Sequence, residues 1–280
     1  MTDNKTSSII AAEEAIALVR KGEAVVFLDV RFAPGKADLK RGYEEAHIAG
    51  AHFVDLPTQL QGKGGGIAGA RPLPSVEQLQ SDITGWGISS YSKVIVYSND
   101  TPAAAARAWF VLRWAGVANV SFLDGGLTAW QQAGGDVNAD LPKIGGGDFI
   151  INTTGHLPTA TADEVAELIS GQETVLDARP ASAYAGDGSD RNGHIPGAIS
   201  LPSKALLALD GKLLSAAEIT TLLEEKGVRP GDTVGVYCGG GVAAALETLV
   251  LRENGVDARL FVGSFSAWSA DPSRLTEKLA

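Results

Sequence analysis

The feature that most constrains this chain is an internal repeat whose period is about half the chain length. Val25-Val26-Phe27-Leu28 runs into Asp29-Val30-Arg31, and Thr174-Val175-Leu176 runs into Asp177-Ala178-Arg179. His47-Ile48-Ala49-Gly50-Ala51 is matched by His194-Ile195-Pro196-Gly197-Ala198, and each is followed by Leu-Pro, at Leu56-Pro57 and Leu201-Pro202. Leu73-Pro74-Ser75 and Leu213-Leu214-Ser215 each open a helix-like stretch behind a serine suited to an N-cap. Val94-Ile95-Val96-Tyr97 answers Val234-Gly235-Val236-Tyr237. Gly125-Gly126-Leu127-Thr128-Ala129-Trp130 answers Gly263-Ser264-Phe265-Ser266-Ala267-Trp268. Matches in the same order mean that one unit is built twice. A chain of 280 residues gives each unit about 140, enough to bury its own core.

Within each copy, short β-branched runs alternate with amphipathic stretches. The spacing predicts helices over Ala12–Lys21, Asp163–Ser170 behind a Thr161 cap, Pro102–Ala115 and Val242–Asn254, the last ending at Gly255. This alternation predicts an α/β fold of two domains, each a mainly parallel sheet flanked by helices on both faces. The expected boundaries are 1–138 for the first domain, 139–159 for a linker and 160–280 for the second. Gly145-Gly146-Gly147, Pro142 and Pro158 mark the linker. The first copy also carries a Gly-rich insert that the second lacks, Gln61-Gly62-Lys63-Gly64-Gly65-Gly66.

A net charge of −10 argues against nucleic-acid partners and against binding to anionic membrane surfaces, both of which need a basic face. A single cysteine permits no intramolecular disulfide and no cysteine-rich zinc site. Met1 to Thr6 lacks the apolar run of a signal peptide, and no segment approaches the ~20 apolar residues of a membrane helix. A protein of the reducing cytoplasm is expected.

One segment carries chemistry. Thr233 to Tyr237 reads as a strand running into Cys238-Gly239-Gly240-Gly241-Val242-Ala243-Ala244 and then a helix. The carboxyl end of a parallel strand is where open α/β sheets bind ligands. Consecutive glycines let successive N–H groups turn inward, and such a nest at a helix N-terminus holds anions. A thiol at its centre is favoured as the thiolate. No acidic residue follows Cys238 before Glu247 and no basic one before Arg252, so the backbone is expected to stabilise the sulfur. A lone cysteine at a strand end is often just a small buried hydrophobe, but the repeat weighs against that here. The matching loop of the first copy is Ser98-Asn99-Asp100-Thr101-Pro102, without the cysteine or the glycines. One copy bears a nucleophile and the other supports it.

Taken together, the two Asp-x-Arg segments, the two His-Ile-x-Gly-Ala motifs, the strand-to-Cys238 loop and the motifs ending at Trp130 and Trp268 resemble the tandem rhodanese-type sulfurtransferases. These include the thiosulfate and 3-mercaptopyruvate enzymes, and the likeness spans nearly the whole chain. The resemblance implies that Cys238 takes a sulfane sulfur from a small-molecule donor and passes the persulfide sulfur to cyanide, a thiol or a protein acceptor. It implies loop residues Gly239, Gly240, Gly241, Val242 and Ala243 as the persulfide cradle. It implies no metal and no organic cofactor, since the protein itself carries the sulfur.

Donor choice in these relatives follows the loop. Thiosulfate-type loops resemble Cys-Arg-Lys-Gly-Val-Thr and mercaptopyruvate-type loops Cys-Gly-Ser-Gly-Val-Thr. This chain has Gly239, Gly240 and Ala243 at the variable positions, and its backbone spacing is closer to the second type. The resemblance also matches His47 and Asp38 to a histidine and an aspartate that accompany the loop serine, and Arg191 to an arginine that binds a substrate carboxylate. The serine is absent here, and so is a second arginine near Ala183. A turn-stabilising role is the competing reading for His47 and the preferred one for His194, while Arg31 and Arg179 read as structural partners of their aspartates. A cysteine phosphatase would need an arginine six residues after the cysteine, where Ala244 stands. A cysteine protease would need a base at the thiol, for which His47 is the candidate. The remaining alternative is a sulfur carrier loaded by a partner protein.

Overall fold

The structure is a computed structural model that describes residues 7–32, 39–99, 101–142, 145–186 and 193–279. The chain divides into two compact units: Met1–Gln59 with Val76–Thr154, and Leu60–Ser75 with Gly155–Ala280.

The first unit holds β1 (Ile9–Ile10), β2 (Val25–Arg31), β3 (His47–Ile48), β4 (His52–Asp55), β5 (Lys93–Tyr97), β6 (Val120–Leu123) and β7 (Val137–Asn138). Its helices are α1 (Ala12–Arg20), α2 (Leu39–Glu45), α3 (Leu56–Gln59), α4 (Val76–Gly85), α5 (Pro102–Trp114) and α6 (Gly126–Gln132). The second unit holds β8 (Thr159–Ala160), β9 (Thr174–Asp177), β10 (Ile199–Ser200), β11 (Thr233–Tyr237) and β12 (Asp257–Phe261). Its helices are α7 (Ala162–Ser170), α8 (Ala181–Ala185), α9 (Ala216–Glu225), α10 (Ala243–Glu253) and α11 (Ser264–Trp268). The main sheets run in the orders β1-β6-β5-β2-β4 and β8-β12-β11-β9-β10. Every pairing within them is parallel. The two orders correspond strand for strand, so the repeat in sequence is a repeat of topology.

Alternation along the strands sends side chains into two layers. In the first unit Phe27 and Ile95 join Ile16, Leu127 and Trp130 in one layer, while α5 lies over β2, β5 and β6. In the second unit Val175 and Tyr237 join Val165, Phe261 and Trp268, and α10 packs on β11 and β12. Helices α5 and α10 are buried along nearly their whole length. The predicted helices agree with the structure to within a residue or so at each end. The Thr161 cap accepts from Glu164 N at 3.2 Å, and Glu164 reaches back to Thr161 N at 2.7 Å. Ser215 and Glu218 form the same reciprocal pair at the start of α9.

The recurring motifs form one polar framework made twice. Asp29 and Asp177 are fully buried. Arg31 grips Asp29 with Nε at 2.8 Å and Nη2 at 2.9 Å, and Arg179 grips Asp177 through the same two atoms. Tyr97 and Tyr237 lie beside the same carboxylates and accept from Ile48 N at 3.0 Å and Ile195 N at 3.1 Å. Burial first, and then the adjacent aspartate, holds both phenols well above the ordinary tyrosine range. Each His-Ile turn is fixed in the same way. His47 stacks on Tyr43 and His194 on Tyr184, both with ring centroids 3.9 Å apart. Tyr43 and Tyr184 in turn donate to Ala51 O and Ala198 O at 2.7 Å.

Two features depart from the expected linear partition. The Gly- and Pro-marked segment after residue 138 is tied down: Gly147 N donates to Thr84 O, Phe149 N to Ile88 O, and Gln80 brackets Phe149 and Ile151. The region of the Gly-rich insert, Leu60–Ser75, packs with the second unit although it belongs to the first copy. Gly69 there has φ +81, and a Cβ on it would lie 2.4 Å from Gly263 O. Ala70 N donates to Ser266 Oγ at 2.8 Å. Composition marks a glycine run as a turn but carries no information about which distant surface the turn will lie on.

Because Asp29 is fully buried against Arg31, Asp29→Ala leaves a buried guanidinium without its carboxylate. The expected loss is about 3–5 kcal/mol of unfolding free energy, read from urea denaturation, and Arg31→Met together with Asp29→Leu should recover most of it.

Candidate active site

Cys238 directly follows β11, the middle strand of the second sheet, at its carboxyl end. The thiol is buried, at 3% exposure. Gly241 takes φ +80, a left-handed conformation open to glycine without a Cβ clash, and this turns its N–H onto Cys238 Sγ at 3.0 Å. Val242 caps α10 and Ala243 is its first residue, so the sulfur lies where an 11-residue helix presents its positive end. The predicted cradle residues 239–243 are therefore one turn and one helix start. Gly239 and Gly240 lie outside the left-handed region. Nothing lies within 4 Å of a Cβ built on Gly239, which leaves room beside the loop.

The sulfur is not held by backbone alone, as the sequence suggested. Ser264 Oγ accepts from Cys238 N at 3.2 Å, approaches Cys238 Sγ at 3.9 Å and donates to Phe261 O at 2.9 Å. Phe265 N and Ser266 N close the other side of the loop on Cys238 O and Gly239 O. Ser264 achieves this from φ +54, an unusual conformation for a residue with a Cβ and one that tends to mark functional sites. The matching position in the first unit is Gly126, also left-handed, where a Cβ would lie 2.2 Å from Ser98 O. The two copies differ at the nucleophile position and again at the residue above it.

Glu247 lies on α10, just past its first turn: it is fully buried, and neither carboxyl oxygen has a hydrogen-bond partner. Burial, then the negative charges of Asp177 and Cys238, push its pKa well above the ordinary carboxylate range. The carboxyl is thus held neutral and does not oppose an anion at the sulfur. The repeat could have shown this position, because Arg107 of the first copy, also fully buried, lies as far past Ser98 as Glu247 lies past Cys238.

Of the other expected site residues, His47 belongs to the first unit. It is completely buried, with Nδ1 2.7 Å from Tyr43 O and Nε2 3.0 Å from Asp140 O. Both ring nitrogens face main-chain carbonyls, which is the turn-stabilising geometry and presents neither to a donor. His194 repeats the first contact, with Nδ1 2.9 Å from Tyr184 O, while its Nε2 faces the Glu277 carboxylate at 3.7 Å. Arg31 and Arg179 are the structural partners expected of them. Asp38 and Arg191 lie outside the described residues.

A profile of the rhodanese-like domain matches residues 11–133 and 161–271. The chain belongs to the rhodanese family. It is similar to the putative thiosulfate sulfurtransferase SseB of Mycobacterium tuberculosis, with 40% identity over 273 residues and 95% of each chain covered. It is also similar to the probable 3-mercaptopyruvate sulfurtransferase of Pseudomonas aeruginosa, with 34% identity over 96% of this chain and 97% of the relative. Among solved structures, the 3-mercaptopyruvate sulfurtransferase SseA of Escherichia coli superimposes with a TM-score of 0.82 at 27% identity, covering 92% of this chain and 99% of that one. Both copies are rhodanese-like domains, and the protein is a sulfurtransferase. Among the described residues, no helix is long and apolar enough to cross a membrane.

Two outcomes follow from this geometry. Ser264→Ala removes the hydroxyl under Cys238 N–H but keeps a Cβ in the left-handed region, whereas Ser264→Gly removes both. The glycine variant should be the more stable by about 1 kcal/mol, both should fall below wild type, and thermal unfolding would rank them. Glu247 in the folded protein keeps a proton that the unfolded chain releases above its ordinary value of 4.5. Its contribution is therefore present below that pH and is lost as pH rises toward the raised folded value. Glu247→Gln removes the dependence, so its urea midpoint should gain on wild type as pH rises above the ordinary carboxylate value of 4.5.

Proposed function

We propose that this rhodanese moves a sulfane sulfur from thiosulfate or 3-mercaptopyruvate, through a persulfide on Cys238, to a thiophilic acceptor such as cyanide or a thiol. The observation that carries the reading is the Gly241 N–H on Cys238 Sγ at 3.0 Å, at the head of α10 and at the carboxyl end of the central strand. The relatives named above divide between the two donors, so both are retained.

With thiosulfate, the Cys238 thiolate attacks the outer sulfur. The S–S bond to the sulfonate sulfur breaks, and sulfite leaves with the electron pair. With 3-mercaptopyruvate the thiolate attacks the mercapto sulfur, the C–S bond breaks, and the leaving enolate takes up a proton to become pyruvate. Either way the sulfur on Cys238 is a persulfide anion, a second nucleophile-sized anion in the place of the first, and the donors on the thiolate are placed to hold it. A cyanide or thiolate acceptor then attacks the outer sulfur, and the bond to Cys238 Sγ breaks to regenerate the thiolate. No external oxidant or reductant enters the cycle. Arg191, by its match to the relatives, is proposed to bind the carboxylate of 3-mercaptopyruvate.

Intact-protein mass spectrometry after brief exposure to each donor should show a gain of one sulfur atom that cyanide removes. Cys238→Ser should show none and should have no turnover. Absence of sulfur loading in wild type with both donors would instead favour a carrier loaded by a protein partner. Arg191→Ala should raise KM for 3-mercaptopyruvate by about 10- to 100-fold, the size of a charge-assisted hydrogen bond, and leave KM for thiosulfate nearly unchanged. Equal effects on both donors would remove that assignment.

A further inference from the structure

The Cys238 loop carries no cationic side chain, yet both proposed donors are anions. The insert region of the first copy supplies what the loop lacks. Leu60–Ser75 packs as part of the second unit, its 3-10 turn Gly66–Ala68 lying against α11. Ala70 N is anchored on Ser266 Oγ at 2.8 Å, and Ser266 N in turn donates to Gly239 O. Gly69 approaches the Gly263 backbone so closely that a Cβ would overlap it. These contacts deliver the next residue, Arg71, onto the loop: its Nη1 lies 2.8 Å from where a Cβ of Gly240 would be, with Ala70 Cβ at 3.3 Å.

Gly240 is therefore glycine for a specific reason. Its backbone is not in the left-handed region, so its conformation would accept a side chain. The space a side chain would need is occupied by the Arg71 guanidinium. A cation on the loop at position 240 and a cation reaching over it from position 71 are mutually exclusive uses of one volume.

We propose that Arg71 is a donor-anion residue of the Cys238 site, its guanidinium holding the sulfonate of thiosulfate and, alongside Arg191, the carboxylate of 3-mercaptopyruvate while the sulfur meets Cys238. A planar guanidinium suits either group because it offers paired N–H donors to two oxygens of one anion. The assignment rests on the sulfurtransfer reading for the identity of the donor. The presence of a cation over the Cys238 loop at Gly240 does not depend on that reading and can be tested without turnover.

The test compares alkylation of Cys238 by iodoacetate and by iodoacetamide, which differ in charge, in wild type, Arg71→Gln, Arg71→Lys and Gly240→Ala. The iodoacetate-to-iodoacetamide rate ratio should fall about 10-fold in Arg71→Gln. It should fall less in Arg71→Lys, which keeps the charge but loses the fork. It should also fall in Gly240→Ala, whose methyl displaces the guanidinium with residue 71 intact. Added salt should lower the wild-type ratio toward that of Arg71→Gln. In steady state, Arg71→Gln should raise KM for thiosulfate about 10-fold or more, with a smaller change in kcat. A ratio unchanged across the variants, including the case in which both alkylation rates change together, would overturn the proposal and leave Arg71 a packing residue. If the ratio falls but wild type neither loads sulfur nor turns over, Arg71 is the cation of the site and the sulfurtransfer reading is what fails.

Discussion

A carboxylate buried at the carboxyl end of a parallel strand organises each unit. Taking Asp177 out of water is costly, and the surroundings offset that cost from several directions at once. Arg179 binds it through Nε and Nη2 and also reaches Gly193 O. Tyr237 contributes a phenol that stays protonated because burial and the aspartate both disfavour its anion. The guanidinium rests on the Phe265 ring, 4.0 Å from its centroid, and Phe265 N holds Cys238 O. One buried charge thus links β9, the His194 turn, α11 and the loop that bears the nucleophile. Asp29, Arg31 and Tyr97 build the same link in the first unit, where it supports no cysteine.

Against that shared framework, three differences between the copies lie around the cysteine. Ser98 is replaced by Cys238, Gly126 by Ser264 and Arg107 by Glu247. In the first unit the close approach of Ser98 O leaves no room for a Cβ at Gly126. In the second, a serine accepts a left-handed backbone to put a hydroxyl beside the sulfur. At the helix position the second unit carries a carboxyl kept neutral by burial, which avoids setting a negative charge next to an anionic sulfur. The two units use one scaffold, and these three differences sit at the end of the central strand and on what packs against it.

Much of this was legible in the linear chain. The repeat announced two matching sheets, because motifs recurring in one order are laid down by one topology. Helices such as α5 and α7 could be bounded because Pro102 and Thr161 are local signals acting on their own turns. Cys238 could be singled out because its glycines and the following helix are its immediate neighbours. Two-residue strands such as β1 and β8 were not legible, since two residues are too few to show a period. His47 matched a catalytic position by motif, but its fully buried ring and carbonyl-facing nitrogens place it with the framework.

By itself, then, the sequence determined that the chain makes an α/β unit twice and that only the second carries a cysteine at a glycine turn, the group proposed as the sulfur carrier. These conclusions rest on interactions among near neighbours, and such interactions are written in spacing and residue type. The tertiary structure decided what surrounds that nucleophile. Ser264 follows it by 26 residues, and Ala70 hydrogen-bonds to a residue 196 positions away. Contacts at those separations depend on how sheets and inserts close in space, so a loop that looks bare of side chains in sequence acquires a hydroxyl, a neutral carboxyl and a guanidinium only when the chain is folded.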